Sequence, residues 1–321
     1  MGTVREMPFH PILDRRLIFV SGKGGVGKTV ATAAIALYAF RRRKRVLVAE
    51  LSPYGRIREL LGGPALGSEP VEIQPHLEVV RIDPREALED FLQGILPFRA
   101  LRQRLLQSHS FSIFTAAAPG IEEFLVLSKI AGFEGLCTGL RRRPTYDLIL
   151  VDAPATGHSL PLLATARTLA ELMPVGPIRK KAEEIGNLLA DSERCAAVIV
   201  TIPEEMAVNE TLEIASGLGR DRTVTLGPVI VNAMWPDRFT AEESLWLTSF
   251  AVDPADPMIA AGRYHVEKRR RAEEHVQRLR TELQVEPVQF PFLVNVSLDR
   301  LQLRKLVGAL DTALPMVSHG A

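Results

Sequence analysis

The sequence is short of cysteines and aromatic residues, and it has almost no net charge. Its 321 residues include two cysteines, Cys137 and Cys195, which lie far apart, so we expect no disulfide framework. Lysine and arginine total 39 against 38 aspartate and glutamate, and the resulting net charge of +1 gives no overall attraction to nucleic acid or anionic lipid. We therefore expect no nucleic-acid partner.

Long apolar segments are also missing. The longest apolar-leaning run near the start, residues 30–40, is too short to span a bilayer. No apolar segment of the kind found in signal peptides accompanies Arg5 and Glu6. We therefore expect a cytoplasmic protein without a direct membrane span, built as one large α/β domain with an insertion or as two domains at most.

Residues 22–29 read GKGGVGKT, a complete G-x-x-x-x-G-K-[ST] phosphate loop. A short apolar run precedes it and an Ala-rich helical pattern follows it, which is the strand–loop–helix context that this motif requires. Backbone N–H groups of such a loop, together with the helix N-terminus, bind phosphate. We expect Lys28 to reach the outer phosphates and the Thr29 hydroxyl to bind Mg²⁺. The predicted nucleotide-binding residues are Gly24, Gly25, Val26, Gly27, Lys28, Thr29 and Val30.

Short β-branched runs alternate with helical patterns along the chain. This alternation predicts an α/β fold with a doubly wound, mainly parallel sheet. Ligands bind at the carboxyl ends of the strands in such sheets. The phosphate loop, residues 50–53, Asp152 and Asn232 each follow a predicted strand. The predicted strands are residues 17–20, 45–50, 77–82, 147–151, 197–201, 228–231 and 285–290.

Residues 84–143 break the alternation, because about sixty residues rich in large apolar side chains pass without a convincing strand. We predict an inserted helical subdomain there. The ATPase-type sheet domain is then discontinuous, formed by residues 15–83 and 144–312, with flexible termini at 1–14 and 313–321. The apolar residues of the insert either form its own small core or leave a subset that lines a groove for an apolar partner.

Asp152 closes a predicted strand and opens the segment DAPATGH, residues 152–158. A carboxylate at a strand end opposite a phosphate loop is typical of a second protein contact to nucleotide-bound Mg²⁺. The alternative is an ordinary loop aspartate. His158 is interpreted as a hydrogen-bonding loop residue and not as a catalyst.

Four segments together resemble the ArsA family of arsenical-pump ATPases and ATPases that target tail-anchored membrane proteins. They are the phosphate loop, residues 118–123 (APGIEE), residues 152–158 and residues 202–205 (IPEE). The loop alone resembles the wider deviant-Walker class of MinD- and ParA-like ATPases. The similarity runs from about residue 15 to about residue 310.

The resemblance implies ATP/ADP and Mg²⁺ as ligands and a dimer bridged by nucleotide. Lys23 would reach the partner's phosphates and neutralise developing charge. The implied catalytic residues are Lys23, Lys28 and Asp152, with Thr29 and Asp152 at the magnesium ion. Asn232 matches the asparagine that recognises adenine, and Pro291 and Phe292 stand where the family places residues against the base.

The sequence departs from the family pattern in two places. Ser52 stands where the family usually carries an aspartate that orients the attacking water, and serine is a poor base at neutral pH. Glu50 would substitute only if the loop after the second strand bends. We therefore expect slow hydrolysis, or a paralogous partner subunit that supplies the missing group. No C-x-x-C occurs either, so we expect no dimer-bridging zinc and no thiol site for arsenite.

Three functions remain open from the sequence. The first is an ATP-hydrolysing dimeric switch that couples nucleotide state to capture and release of an apolar client. The second is a weakly hydrolysing nucleotide sensor or regulatory subunit that acts with a paralogous ATPase. The third is an ATPase that energises an anion or metalloid efflux system, or a MinD-like positioning ATPase. Each implies a homodimer or a heterodimer.

Overall fold

A computed structural model describes most of the chain. Predictions for the termini, the middle and end of the insert, Cys137 and the loop with His158 lie outside the described residues. The residues described are 12–52, 55–64, 67, 69–96, 98–106, 108, 120–135, 145–153, 159–221, 223–249, 256–293 and 300–314.

Strands and helices alternate along the chain after a short 3₁₀ turn at Ile12–Asp14. The elements are β1 (Leu17–Ser21), α1 (Lys28–Arg41), β2 (Val46–Glu50), α2 (Ile57–Leu61), β3 (Val71–Gln74), β4 (Leu77–Arg81), α3 (Pro84–Ile95), α4 (Arg99–Leu106), α5 (Ile121–Glu134), β5 (Leu148–Asp152), α6 (Ser159–Leu172), α7 (Pro177–Ala190), β6 (Cys195–Thr201), α8 (Glu205–Asp221), β7 (Thr225–Met234), α9 (Ala241–Thr248), α10 (Pro257–Leu283), β8 (Val288–Pro291) and α11 (Arg300–Ala313).

The strands form one eight-stranded sheet in the order β3-β4-β2-β5-β1-β6-β7-β8. Every pair is parallel except the edge pair of β3 and β4. The central strands β1, β2, β5 and β6 are buried along their whole length, because helices cover both faces. The predicted α/β class with a doubly wound, mainly parallel sheet is confirmed.

Two apolar layers hold the helices on the sheet. Val20, Val48 and Leu150 pack with α1 and α11 on one face. Phe19, Ala49 and Val151, their chain neighbours, pack with α5, α6 and α7 on the other. This alternation follows from the two-residue period of a strand. Parallel pairing brings the carboxyl ends of β1, β2 and β5 to the same end of the sheet, beside the N-terminus of α1.

All seven predicted strands are present, with shifted ends. β7 runs to Met234, so the prediction that Asn232 follows this strand is wrong. The strand is longer because β8 continues to pair with it, with Met234 opposite Pro291. Strand β3 was not predicted, because its residues VEIQ are partly exposed at the sheet edge and form no apolar run.

In the described part of the insert, α3 and α5 pack against the sheet domain. Phe124, Leu127 and Ile130 of α5 belong to the same apolar layer as β1, β2 and β5. The division into a sheet domain and an inserted helical subdomain stays a prediction. Among the helices within the described ranges, none combines the length and the apolar character that crossing a membrane requires.

Candidate functional site

The phosphate loop connects β1 to α1 and depends on glycine at two positions. Gly22 has φ +144°, and a Cβ built there would lie 2.0 Å from the carbonyl oxygen of Val200 on β6. Gly27 has φ +94° and precedes the first residue of α1. Only glycine fits such contacts and dihedrals without strain. The chain therefore curls at the N-terminus of a helix, where backbone N–H groups and the helix dipole favour an anion.

Lys28 is buried at the start of α1. Its ammonium donates to the carbonyl oxygens of Gly22 and Lys23, at 3.0 Å each. Burial lowers the pKa of Lys28, and the charges of Asp152 and Glu210 oppose this shift. The Lys28 side chain thus links the end of the phosphate loop to its start and places a positive charge there.

Asp152 joins the end of β5 to the first turn of α1. Its two carboxylate oxygens accept from the hydroxyls of Thr29, at 2.8 Å, and Thr32, at 3.1 Å. Burial raises the pKa of Asp152, and the hydrogen bonds from both threonines and the charge of Lys28 act in the opposite direction. Thr32 was missed, although it stands one helical turn after Lys28.

The chemistry of these side chains fits Mg²⁺. A hydroxyl and a carboxylate are hard oxygen donors, and magnesium bound to a nucleotide takes its other ligands from phosphates and water. The structure brings Thr29 and Asp152 together at the mouth of the phosphate loop. Their role in binding the metal stays a prediction.

Asn232 lies on β7 beside the phosphate loop. Its side-chain amide donates to the carbonyl oxygen of Val26 at 2.9 Å, which ties the strand to the loop. Gly24 and Gly25 are exposed, whereas Val30 is partly buried against the apolar layer under α1. Recognition of adenine by Asn232 stays a prediction.

An aromatic pair follows the ends of β7 and β8. The Phe292 amide donates to the Met234 carbonyl oxygen at 2.8 Å, just after Pro291 at the end of β8. The Phe292 ring is parallel to that of Trp235, with 5.3 Å between centroids and 2° between planes. Trp235 was missed, although it is one of two tryptophans and follows the predicted Asn232 segment. The pair lines a cleft of about 420 Å³ with Ile202, Pro203, Lys268 and Arg271, among others.

Lys23 occupies the outer side of the loop. Its side chain is 36% exposed, and its ammonium lies 3.9 Å from a carboxylate oxygen of Glu210 on α8. Glu210 was not among the residues predicted from the sequence. In one chain, therefore, a carboxylate from α8 faces the lysine that is predicted to act across a dimer interface.

The chain turns back directly after β2. The amide of Gly55 donates to the carbonyl oxygen of Ser52 at 3.1 Å, and the amide of Ile57 donates to the Glu50 carboxylate at 3.0 Å. Burial raises the pKa of Glu50, and the hydrogen bond from Ile57 opposes this shift. Substitution of Glu50 for the aspartate that the resemblance implies at Ser52 stays a prediction.

Comparison with known proteins places the sequence in a family. The family model of the anion-transporting ATPases, ArsA, matches residues 15–182. The ATPase BagA of Mycobacterium tuberculosis is 29% identical over 226 residues, which are 69% of this chain and 66% of that protein. The putative arsenical pump-driving ATPase 2 of Aquifex aeolicus is 30% identical over 55% of this chain and 58% of its own length.

A third relative, the ATPase ASNA1 homolog of Entamoeba dispar, is 27% identical over 51% of this chain and 50% of its own length. The chain thus spans just under two thirds of the mycobacterial relative, and less of the other two.

Proposed function

Since the chain belongs to the ArsA family of anion-transporting ATPases, we propose that it binds Mg²⁺–ATP at the phosphate loop and hydrolyses it. The observation that carries this proposal is the Thr29–Asp152 hydrogen bond of 2.8 Å beside the buried ammonium of Lys28. A cation, a hydroxyl and a carboxylate at a helix N-terminus match what the β- and γ-phosphates and their metal require.

Each residue has a role that its position supports. The loop N–H groups cradle the phosphates, and Lys28 exchanges its carbonyl partners for the outer phosphate oxygens. Magnesium, when bound, neutralises charge on the β- and γ-phosphates. Thr29 and Asp152 hold it and its water molecules at the loop. Asn232 and the Trp235–Phe292 pair receive the adenine, because an amide pairs with the edge of the base and aromatic rings stack on its faces.

We further propose that two chains close around the nucleotide. Lys23 would leave Glu210 and reach the phosphates bound by the partner, which is either a second copy or a paralogous ATPase. The exposure of Lys23 and its long contact with Glu210 support this role, since an exposed ion pair at 3.9 Å is weak.

The insert would then capture and release an apolar client. Phe124 and Leu127 of α5 pack in one layer with Phe19, three residues before the phosphate loop, and with Val151, next to Asp152. A shift at the nucleotide is thereby transmitted to the insert. Phe98, between α3 and α4, is 72% exposed and is a candidate contact for an apolar client.

A second function, a weakly hydrolysing sensor, is favoured by one residue. Ser52 follows β2 where the family usually carries an aspartate, and a hydroxyl does not take a proton from water at neutral pH. Under this alternative the chain binds Mg²⁺–ATP but releases phosphate only with a paralogous partner.

Phosphate release from Mg²⁺–ATP tests the proposal. We expect measurable turnover in the wild type and a loss of at least about 100-fold in Asp152→Asn. Asp147→Asn is the matched control, because Asp147 lies at the opposite end of the same strand, paired with Arg45. Nucleotide binding without phosphate release would favour the sensor, and absence of binding would contradict both functions.

Client capture needs a separate measurement. A reporter protein with one C-terminal apolar helix is mixed with the immobilised protein in the presence of either a non-hydrolysable ATP analogue or ADP. The amount of reporter that is retained is measured. We expect retention only with the analogue, and weaker retention by Phe98→Ser. Equal retention in both nucleotide states would contradict the coupling.

A further inference from the structure

Glu50 occupies an unusual position for a carboxylate. It is the last residue of β2, is 2% exposed, and stands in register with Asp152 of the neighbouring strand β5. Val46 and Val48 of the same strand pack in the layer that contains α1. Because side chains alternate along a strand, Glu50 lies on that face too, next to the helix that begins at Lys28.

The chain after β2 wraps around this side chain. One carboxylate oxygen of Glu50 accepts from the amide of Ile57 at 3.0 Å. A Cβ built at Gly55 would lie 1.9 Å from the carboxyl carbon of Glu50, so the backbone passes directly against it. Ser52 and Gly55 are joined by a backbone hydrogen bond of 3.1 Å. Glu50 thus fixes where the Ser52 segment lies.

Capping α2 does not by itself account for a carboxylate here. An uncharged amide also accepts from Ile57, although less strongly than a carboxylate does. Glu50 stands in register with Arg81 of β4 on one side and with Asp152 of β5 on the other, and the two buried carboxylates repel. Arg81 and Arg58 offset part of that repulsion, and a cation beside Asp152 would offset more of it. Thr29 and Asp152 already mark where the magnesium of the nucleotide fits.

We propose that Glu50 is a positioning residue for ATP hydrolysis, which holds the Ser52 segment beside Asp152 and would orient a water molecule of the magnesium ion held there. This inference rests on the proposed function. It assigns to β2 a charged group that acts through water and does not touch the nucleotide.

Glu50→Gln separates the charge from the hydrogen bond, because its amide oxygen still accepts from Ile57. Glu50→Ala removes both. Glu78→Gln is the matched control, since Glu78 is a hydrogen-bonded carboxylate near the start of β4 and bonds to Tyr146. Turnover is measured against ATP concentration. The ADP-induced rise in Tm is measured against Mg²⁺ concentration.

For Glu50→Gln we expect kcat to fall at least about tenfold with KM for ATP within about threefold. The Mg²⁺ concentration that gives half of the ADP-induced rise in Tm should increase at least about threefold. Glu78→Gln should match the wild type in both measurements.

Wild-type behaviour of Glu50→Gln, with only Glu50→Ala impaired, would reduce Glu50 to a helix cap and overturn the inference. A lower kcat with unchanged Mg²⁺ dependence would overturn it too, and so would a Glu50→Gln protein that is unfolded by circular dichroism. If the wild type binds ADP but releases no phosphate, turnover cannot be compared between variants. The Mg²⁺ dependence of the ADP-induced rise in Tm then tests the inference by itself. Failure of the proposed function looks different: the wild type would show no nucleotide-induced rise in Tm at all, which overturns both.

Discussion

At the scale of single residues, the phosphate loop is held by two neighbouring strands, β6 and β7, which lie on one side of β1. The Gly22 backbone lies against the carbonyl of Val200, and a Cβ at Gly27 would lie 2.3 Å from the amide nitrogen of Asn232. Asn232 in turn donates to Val26 inside the loop. The shape of the loop is therefore set by β6 and β7 as well as by its own glycines.

Gly27→Ala should lower stability and ADP affinity more than Gly25→Ala. Both positions have positive φ, which costs a non-glycine residue about 1–2 kcal/mol. Only Gly27 adds a clash with Asn232, because a Cβ at Gly25 meets nothing within 4 Å. Urea unfolding and ADP titration measure the difference. Equal losses in the two variants would show that the Asn232 contact is unimportant.

Ser52→Asp should raise turnover, by about fivefold, because a carboxylate accepts a proton from water far better than a hydroxyl does. Ser52→Asn is the isosteric control without the charge and should not accelerate hydrolysis. The rate of phosphate release at saturating Mg²⁺–ATP is the measurement. A Ser52→Asp enzyme no faster than the wild type would refute the idea that this serine limits the rate.

The site residues that could be predicted from the sequence are those that belong to a recognisable motif. Lys28, Thr29 and Asp152 were found because a phosphate loop requires a partner at a neighbouring strand end. The structure joins Thr29 to Asp152 and places Lys28 next to Thr29 at the start of α1. Trp235 and Glu210 were missed. Their proximity to the site arises from the pairing of β7 with β8 and from the packing of α8, which no local pattern encodes.

At the scale of elements, helix α5 is joined to the sheet by charge as well as by apolar packing. Glu134, at its last turn, has a fully buried side chain. It contacts Arg16, at 3.4 Å just before β1, and Arg194, just before β6. The ion group lies at the amino ends of these strands, opposite the phosphate loop. It therefore anchors α5 without taking part in the site.

Glu134→Ala should destabilise the protein by about 2 kcal/mol, because it removes a buried carboxylate that bonds to two partly exposed arginines. Glu183→Ala is the control, since Glu183 forms an exposed pair with Arg179 within one helix, and should cost about 0.3–0.5 kcal/mol. Urea unfolding gives both values. A loss below about 1 kcal/mol for Glu134→Ala would contradict the anchoring role.

The elements predicted best were those buried on both faces. β1, β2, β5 and β6 contain continuous apolar runs, so their pattern identifies them without tertiary information. β3 escaped detection because an edge strand needs no such run. The extension of β7 beyond Val231 depends on its neighbour β8 and was not visible in its own residues.

At the scale of the whole molecule, the candidate nucleotide site opens at the carboxyl ends of the central strands. Lys23 lies on the outer side of this site. We expect a non-hydrolysable ATP analogue to shift the protein to twice the mass of one chain. Lys23→Ala should lower kcat at least about 100-fold, as loss of a charge supplied in trans does. ADP affinity should change less than about threefold.

Light scattering and phosphate release measure these effects, with the exposed Lys180→Ala as the control. The dimer would be contradicted by a wild-type chain that stays monomeric with the analogue, together with a Lys23→Ala variant that hydrolyses ATP as fast as the wild type.

The strand order also has a consequence for synthesis. β5 lies between β2 and β1, so Thr29 meets Asp152 only after 123 further residues have been made. At translation rates of about 5–20 residues per second, that interval is roughly 6–25 s. Until then both β1 and β2 have an unpaired edge in the nascent chain, and sheets built from such distant pairings form slowly. ATP therefore cannot stabilise the first half of the chain during translation, and we expect its yield in the cell to depend on chaperones that cover these edges.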